Sequence, residues 1–203
     1  MKQILLGLTL AAIAGCAGMA QHDDFDAKAV AMLKSSFRAN GQATLDRLDQ
    51  DDMQKECSGH NPAQPLDKAM AERLEKTQLA TIKYPAGGLM GDWKNGEKIA
   101  QSGVGKQYSD DPKVVAGGNC YACHQLGKAE LAYGTIGPSL YNFGKLRGFT
   151  PEMQKYAYGK VYNPDAFSAC SNMPRFGHNA ILTEQQIRDV VALLMDPESP
   201  VNK

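Results

Sequence analysis

The chain has 203 residues, of which 22 are Lys or Arg and 22 are Asp or Glu, so its formal charge at pH 7 is zero. A nucleic-acid ligand is not expected, because binding phosphates needs a clustered basic surface that releases counterions. Hydrophobic residues at 43% and charged residues at 22% are ordinary globular proportions and exclude a disordered or collagen-like chain.

In chain order the first expected element is a leader. Ile4 to Ala14 is a short apolar run behind Lys2 and ahead of small residues, which reads as a secretory signal too short to span a bilayer. Two processing routes fit it. Cleavage after Ala20 would remove residues 1–20, whereas Ile13-Ala14-Gly15-Cys16 resembles a bacterial lipobox in which Cys16 becomes an acylated N-terminus. The mature chain is thus expected in the periplasm, soluble or lipid-anchored, and no later stretch reaches about 18 consecutive apolar residues.

Residues 21–90 read as a helical N-terminal extension. Phe25, Ala29, Met32, Leu33 and Phe37 recur at three and four, which predicts a helix ending near Asn40-Gly41. An irregular polar stretch around Cys57 follows. A second helix is expected over about Asp67 to Ala80, with Leu66, Met70 and Leu74 on one face, until Tyr84-Pro85 breaks it. His22 and His60 lie in polar surroundings and read as solvated residues.

Residues 91–203 read as the second domain. Asp92 is a good N-cap for a helix over Trp93 to Ser102, with Trp93, Gly96, Ile99 and Ala100 as its packing stripe. Gly103-Val104-Gly105 imitates a phosphate loop but has no strand before it, so it reads as a plain loop. Cys120-Tyr121-Ala122-Cys123-His124 has the c-type haem attachment spacing, and the chance expectation for that pattern at this composition is about 0.002. Two thiols three positions apart reach the two vinyl groups of one porphyrin, and the adjacent imidazole falls under the iron. A thioredoxin-like pair would want a βαβ context, and a zinc site a second close pair, whereas Cys57 and Cys170 stand alone. The expectation is one covalently bound haem c, with a short helix starting at the motif.

Thr150-Pro151 predicts a helix to about Lys160. Beyond it lie the candidates for the iron's second axial position, which an electron carrier fills with Met or His: Met153, Met173, His178 and Met195. Met153 and Met195 fall within helical patterns and suit packing. Met173 precedes Pro174 and is forced into an extended loop, where it can reach the far face of a ring. It is the expected ligand, with His178 and an open site as the alternatives. Thr183 to Gln186 form a capping box, and Ile187, Val190, Val191 and Leu194 then follow at helical spacing until Pro197. Convincing period-two alternation is missing throughout, so the fold class is all-α.

From Gly91 to Asp196 the order of aromatic-bearing helix, Cys-x-x-Cys-His, Gly137-Pro138-Ser139-Leu140, Met173-Pro174 and amphipathic helix resembles a class I cytochrome c domain. In that family the first and last helices cross, and the proline matching Pro138 offers its carbonyl to the proximal imidazole. Closer still, Gly118 to Gln125, Gly134 to Pro138, Met173 to His178 and Leu182 to Ile187 are similar to the SoxX family, the monohaem subunits of the SoxAX cytochromes of bacterial sulfur oxidation. Leu79 to Pro85 and Gly91 to Lys94 resemble the longer members.

The resemblance implies a role on this chain in electron acceptance, with no catalytic residue of its own. A SoxA-type partner would carry the L-cysteine S-thiosulfotransferase chemistry, joining thiosulfate to a cysteine of a SoxYZ-type carrier, and a further cytochrome would receive the electrons. The chain itself offers no nucleophile–base pair or carboxylate dyad. A free, diffusible periplasmic carrier is the alternative function, and a peroxidase or gas sensor would need an open distal site. The roughly seventy residues before the haem domain favour a subunit, because they offer partner surface. The remaining mature cysteines, Cys57 and Cys170, are expected to form a disulfide; a reactive or ligating Cys170 is the competing view.

Overall fold

The computed structural model describes residues 24–60 and 65–203. The leader with both processing sites, Cys16 and His22 lies outside the described residues. Among those described the chain is all-α, and its one piece of β pairing is an isolated bridge between Asn40 and Ala43.

Two compact units divide after Phe37. The first holds α1 (Phe25–Ser36), capped by the Asp24 carboxylate on the Ala27 N–H, and its Phe25 and Met32 are well exposed. The second runs from Arg38 to Lys203 and contains α2 (Asp52–Ser58), α3 (Lys68–Leu79), α4 (Trp93–Gln101), α5 (Phe143–Arg147), α6 (Pro151–Tyr162) and α7 (Glu184–Met195).

The expected caps form as read. Asp67 accepts from the Met70 N–H, Asp92 from Lys94, Thr150 from Met153, and Thr183 closes a capping box with Gln186. Two short helices differ from the sequence reading. α2 occupies the stretch read as irregular, started by a capping box between Asp51 and Gln54 and burying one side chain, Met53. α5 begins at a left-handed Asn142 with no side-chain cap of its own. Its first N–H groups are instead met by the buried Asn202, whose Oδ1 accepts from Gly144 and Lys145 while its Nδ2 donates to the Leu194 and Asp196 carbonyls at the end of α7.

The core lies on α7. Ile187, Val191 and Leu193 are fully buried, against Ile99 and Ala100 of α4, Tyr158 and Val161 of α6, and Phe176, Leu182 and Val201. Removing surface on this scale is the main favourable term in folding such a chain. α4 and α7 approach so closely that a Cβ on Gly96 would run into the Asp189 backbone carbonyl and lie 3.0 Å from Leu193 Cβ. Buried Asp189 closes the contact by accepting from the Asp92 N–H at 2.9 Å, and the Gly91 N–H donates to the Arg188 carbonyl. Gly96→Ala is therefore expected to cost about 1–3 kcal/mol by overpacking, read as a lower midpoint in denaturant unfolding; an unchanged midpoint would show that the helices can separate freely.

Candidate functional site

The chain leaves α4 at Gln101 and returns to its end just before the Cys-x-x-Cys-His segment. Three successive N–H groups, Gly117, Gly118 and Asn119, donate to the carbonyls of Val104, Ile99 and Ser102, each at 2.8 Å, so the segment is tied to the C-terminal end of that helix. Asn119 then turns through the left-handed region at φ 47°, and residues Cys120–Ala122 make a single 3₁₀ turn. The expected helix does not continue, because the returning loop takes its carbonyls. Tyr121, Cys123 and Gln125 accept from the N–H groups of Gly134, Gly137 and Leu140. The single turn still sets the two thiols one turn apart with His124 immediately after, its N–H donating to the Cys120 carbonyl at 2.9 Å.

His124 Nδ1 lies 2.7 Å from the Pro138 carbonyl oxygen. A carbonyl only accepts, so Nδ1 carries the proton and Nε2 keeps the lone pair that binds metal. The ring rests on Gly137, where a Cβ would collide with it, 2.7 Å from Nε2. Cys120 and Cys123 are unbridged and half-buried. Burial pushes the Cys120 thiol up to about 12, with the neighbouring Cys123 and Glu97 adding to the rise, the reverse of the lowered pKa that a reactive dithiol pair needs.

Met173 stands on the loop after the 3₁₀ turn Pro164–Ala166, its N–H on the Ser171 hydroxyl, and packs half-buried against the same core as Cys120. Of the other candidates, Met195 is sunk in the core on α7, Met153 packs against it from α6, and His178 Nδ1 faces the Thr81 hydroxyl at 3.3 Å. Cys57 and Cys170 are joined in a disulfide with Cα atoms 5.4 Å apart. Cys170 has φ 60°, a left-handed backbone that costs a residue with a Cβ about 1–2 kcal/mol.

A feature with no short-range sequence signal surrounds Arg175, two residues from Met173. Its buried guanidinium donates to Asp51 at 2.7 Å and faces buried Asp165 at 3.8 Å, while Asp165 accepts from the Ser171 N–H. Burial would raise the Asp51 carboxyl, but the Gln54 N–H and Arg175 outweigh it and leave it below the usual range. Asp165 is raised, because its burial is not fully offset by the Ser171 N–H and Arg175.

The donor set fits a c-type haem: two thiols, an imidazole presenting Nε2 and a neutral thioether. No group of three His, Cys, Asp or Glu among the described residues could hold a metal ion instead. Apolar surface suited to a macrocycle is also at hand, since Ile136, next to the glycine under the imidazole, is 79% exposed.

The family model for cytochrome c matches residues 105–196. An uncharacterized lipoprotein of Aquifex aeolicus (strain VF5) is 43% identical over 159 residues, 76% of this chain and 73% of that protein. The crystal structure of SoxXA from P. pantotrophus is similar at 26% identity and a TM-score of 0.40, covering 58% of this chain and 90% of that one.

The disulfide closes a loop of 113 residues, worth about 4 to 5 kcal/mol in the chain-entropy model. Denaturant unfolding with and without a thiol reductant is expected to differ by that order, and alkylation before reduction should label neither Cys57 nor Cys170. Equal stability, or two labelled thiols, would contradict the bridge.

Proposed function

Residues 105–196 form a cytochrome c family domain, and we propose that the protein built on it is the electron-transfer subunit of a thiosulfate-oxidising SoxAX-type complex. Cys120 and Cys123 would hold one haem c through thioether bonds, and His124 and Met173 would bind its iron. The observation that carries the haem assignment is the 2.7 Å bond from His124 Nδ1–H to Pro138, which frees Nε2 alone for the iron. The more specific reading is supported by the run of motifs from Gly118 to Ile187 and by the aromatic and proline positions before them.

Haem c, when bound, supplies a one-electron couple whose potential follows its axial ligands and surroundings. The chain's own groups set those surroundings. The Pro138 carbonyl orients the imidazole and strengthens it as a donor. Met173 offers a neutral thioether, which favours a higher potential than a thiolate would. On the partner, joining a carrier thiol to thiosulfate through a new S–S bond releases one proton and two electrons. This chain's part is to take those electrons one at a time; the bond-making groups belong to the partner.

The likeness to a protein named a lipoprotein favours the Cys16 route for the leader, giving a lipid-anchored protein that faces the periplasm. Among the described residues no helix is long and apolar enough to cross a membrane.

Periplasmic maturation is expected to give one haem per chain, and Cys120→Ser with Cys123→Ser to abolish covalent attachment, measured by mass and by the pyridine haemochrome spectrum. Purification from the native host should bring down a second haem subunit, and the pair should be reduced when thiosulfate and the carrier are added. A lone monohaem protein that shuttles electrons without either would establish the free carrier.

A further inference from the structure

The loop that carries Met173 is fastened along its length to residues 51–81. At its start, the fully buried Asn163 donates through Nδ2 to Gln78 Oε1 and Thr81 Oγ1, both at 2.9 Å. The Ala169 N–H donates to Glu75 Oε1 at 3.0 Å, and Cys170 is bonded to Cys57. Beyond the methionine, Arg175 donates to Asp51, and His178 meets Thr81. Met173 thus sits three residues after one cross-link and two before another.

These ties are the principal work of α2 and α3. The side chains those helices bury are Met53, Leu74 and Gln78, and none belongs to the main core around α7. Gln78 is one of the loop's own partners. α2 and α3 therefore contribute little to the central packing and a great deal to one loop; the segment's share of the core comes from Ile82, Tyr84, Leu89 and Met90 beyond them.

We propose that Asp51, Cys57, Glu75, Gln78 and Thr81 are positioning residues for Met173: α2 and α3 form a splint that keeps the ligand loop closed. The inference rests on the assignment of Met173 as the axial ligand and extends it to the ease with which that ligand leaves. A loop pinned on both sides of its methionine visits few open states. An external ligand can bind the iron only from those states, so its apparent affinity scales with their population. Cutting the pins raises that population and leaves the α4–α7 contact intact.

The test is imidazole binding to the ferric, haem-loaded protein. Wild-type protein must first show the red-wavelength charge-transfer band of methionine-ligated ferric haem; its absence would overturn the Met173 assignment itself, separately from the splint. Asp51→Asn keeps a good N-cap for α2 and removes the charge facing Arg175. Glu75→Ala removes the acceptor for Ala169, and the pair Cys57→Ser with Cys170→Ser removes the bridge. Each is expected to bind imidazole about tenfold more tightly than wild type. Val191→Ala, a cavity in the main core, should unfold at lower temperature yet bind imidazole within about twofold of wild type. Should the bridge variant fail to fold, Asp51→Asn and Glu75→Ala carry the test alone. Unchanged affinity in these two, or an equal rise in Val191→Ala, would overturn the splint.

Discussion

The bond from His124 Nδ1–H to the Pro138 carbonyl is the constraint on which the rest of the site depends. It decides which imidazole nitrogen is a base, and it needs the whole segment from His124 to Pro138 to double back. That return is held by the Gly134, Gly137 and Leu140 N–H groups on the carbonyls of the haem-motif turn. Gly137 is required there because any larger residue would occupy the space of the imidazole ring. The same bonds explain why the motif makes one 3₁₀ turn: its carbonyls are taken by the loop and are not free to extend a helix.

Two parts of the fold hold the two sides of the proposed haem site. The proximal side hangs from the end of α4 through three backbone bonds, and α4 is locked on α7 by Gly96 and Asp189. The distal loop is carried by α6 and anchored to α2 and α3 through the disulfide, Asn163 and Arg175. A centre that changes charge by one electron benefits when neither side has to rearrange, and both sides here are cross-braced. The pairing of a guanidinium with two carboxylates behind Met173 adds stiffness at a cost in desolvation.

Much of this was legible in the sequence, and the exceptions have physical causes. Asp67, Asp92, Thr150 and Thr183 announce their helices because capping is a local contact between a side chain and an N–H two or three residues on. Spacing alone made the Cys120, Cys123 and His124 cluster readable, and the parity of the cysteines pointed to Cys57 with Cys170. α2 was missed because its only buried residue, Met53, gives no periodicity, and α5 because its cap comes from Asn202 at the far end of the chain. The salt bridge from Asp51 to Arg175 leaves no short-range trace. The roughly seventy residues before the haem domain read as partner surface, and composition gives no sign that Asp51, Cys57, Glu75, Gln78 and Thr81 among them meet the chain's own loop.

The measurement that tests the account most directly is near-infrared magnetic circular dichroism of the ferric protein matured in a periplasm, paired with peptide mapping of the haem adduct. A single haem on the peptide containing Cys120 and Cys123, with the low-spin signature of one histidine and one methionine, is the predicted result. A bis-histidine or high-spin signature, or a peptide carrying two free thiols, would contradict it.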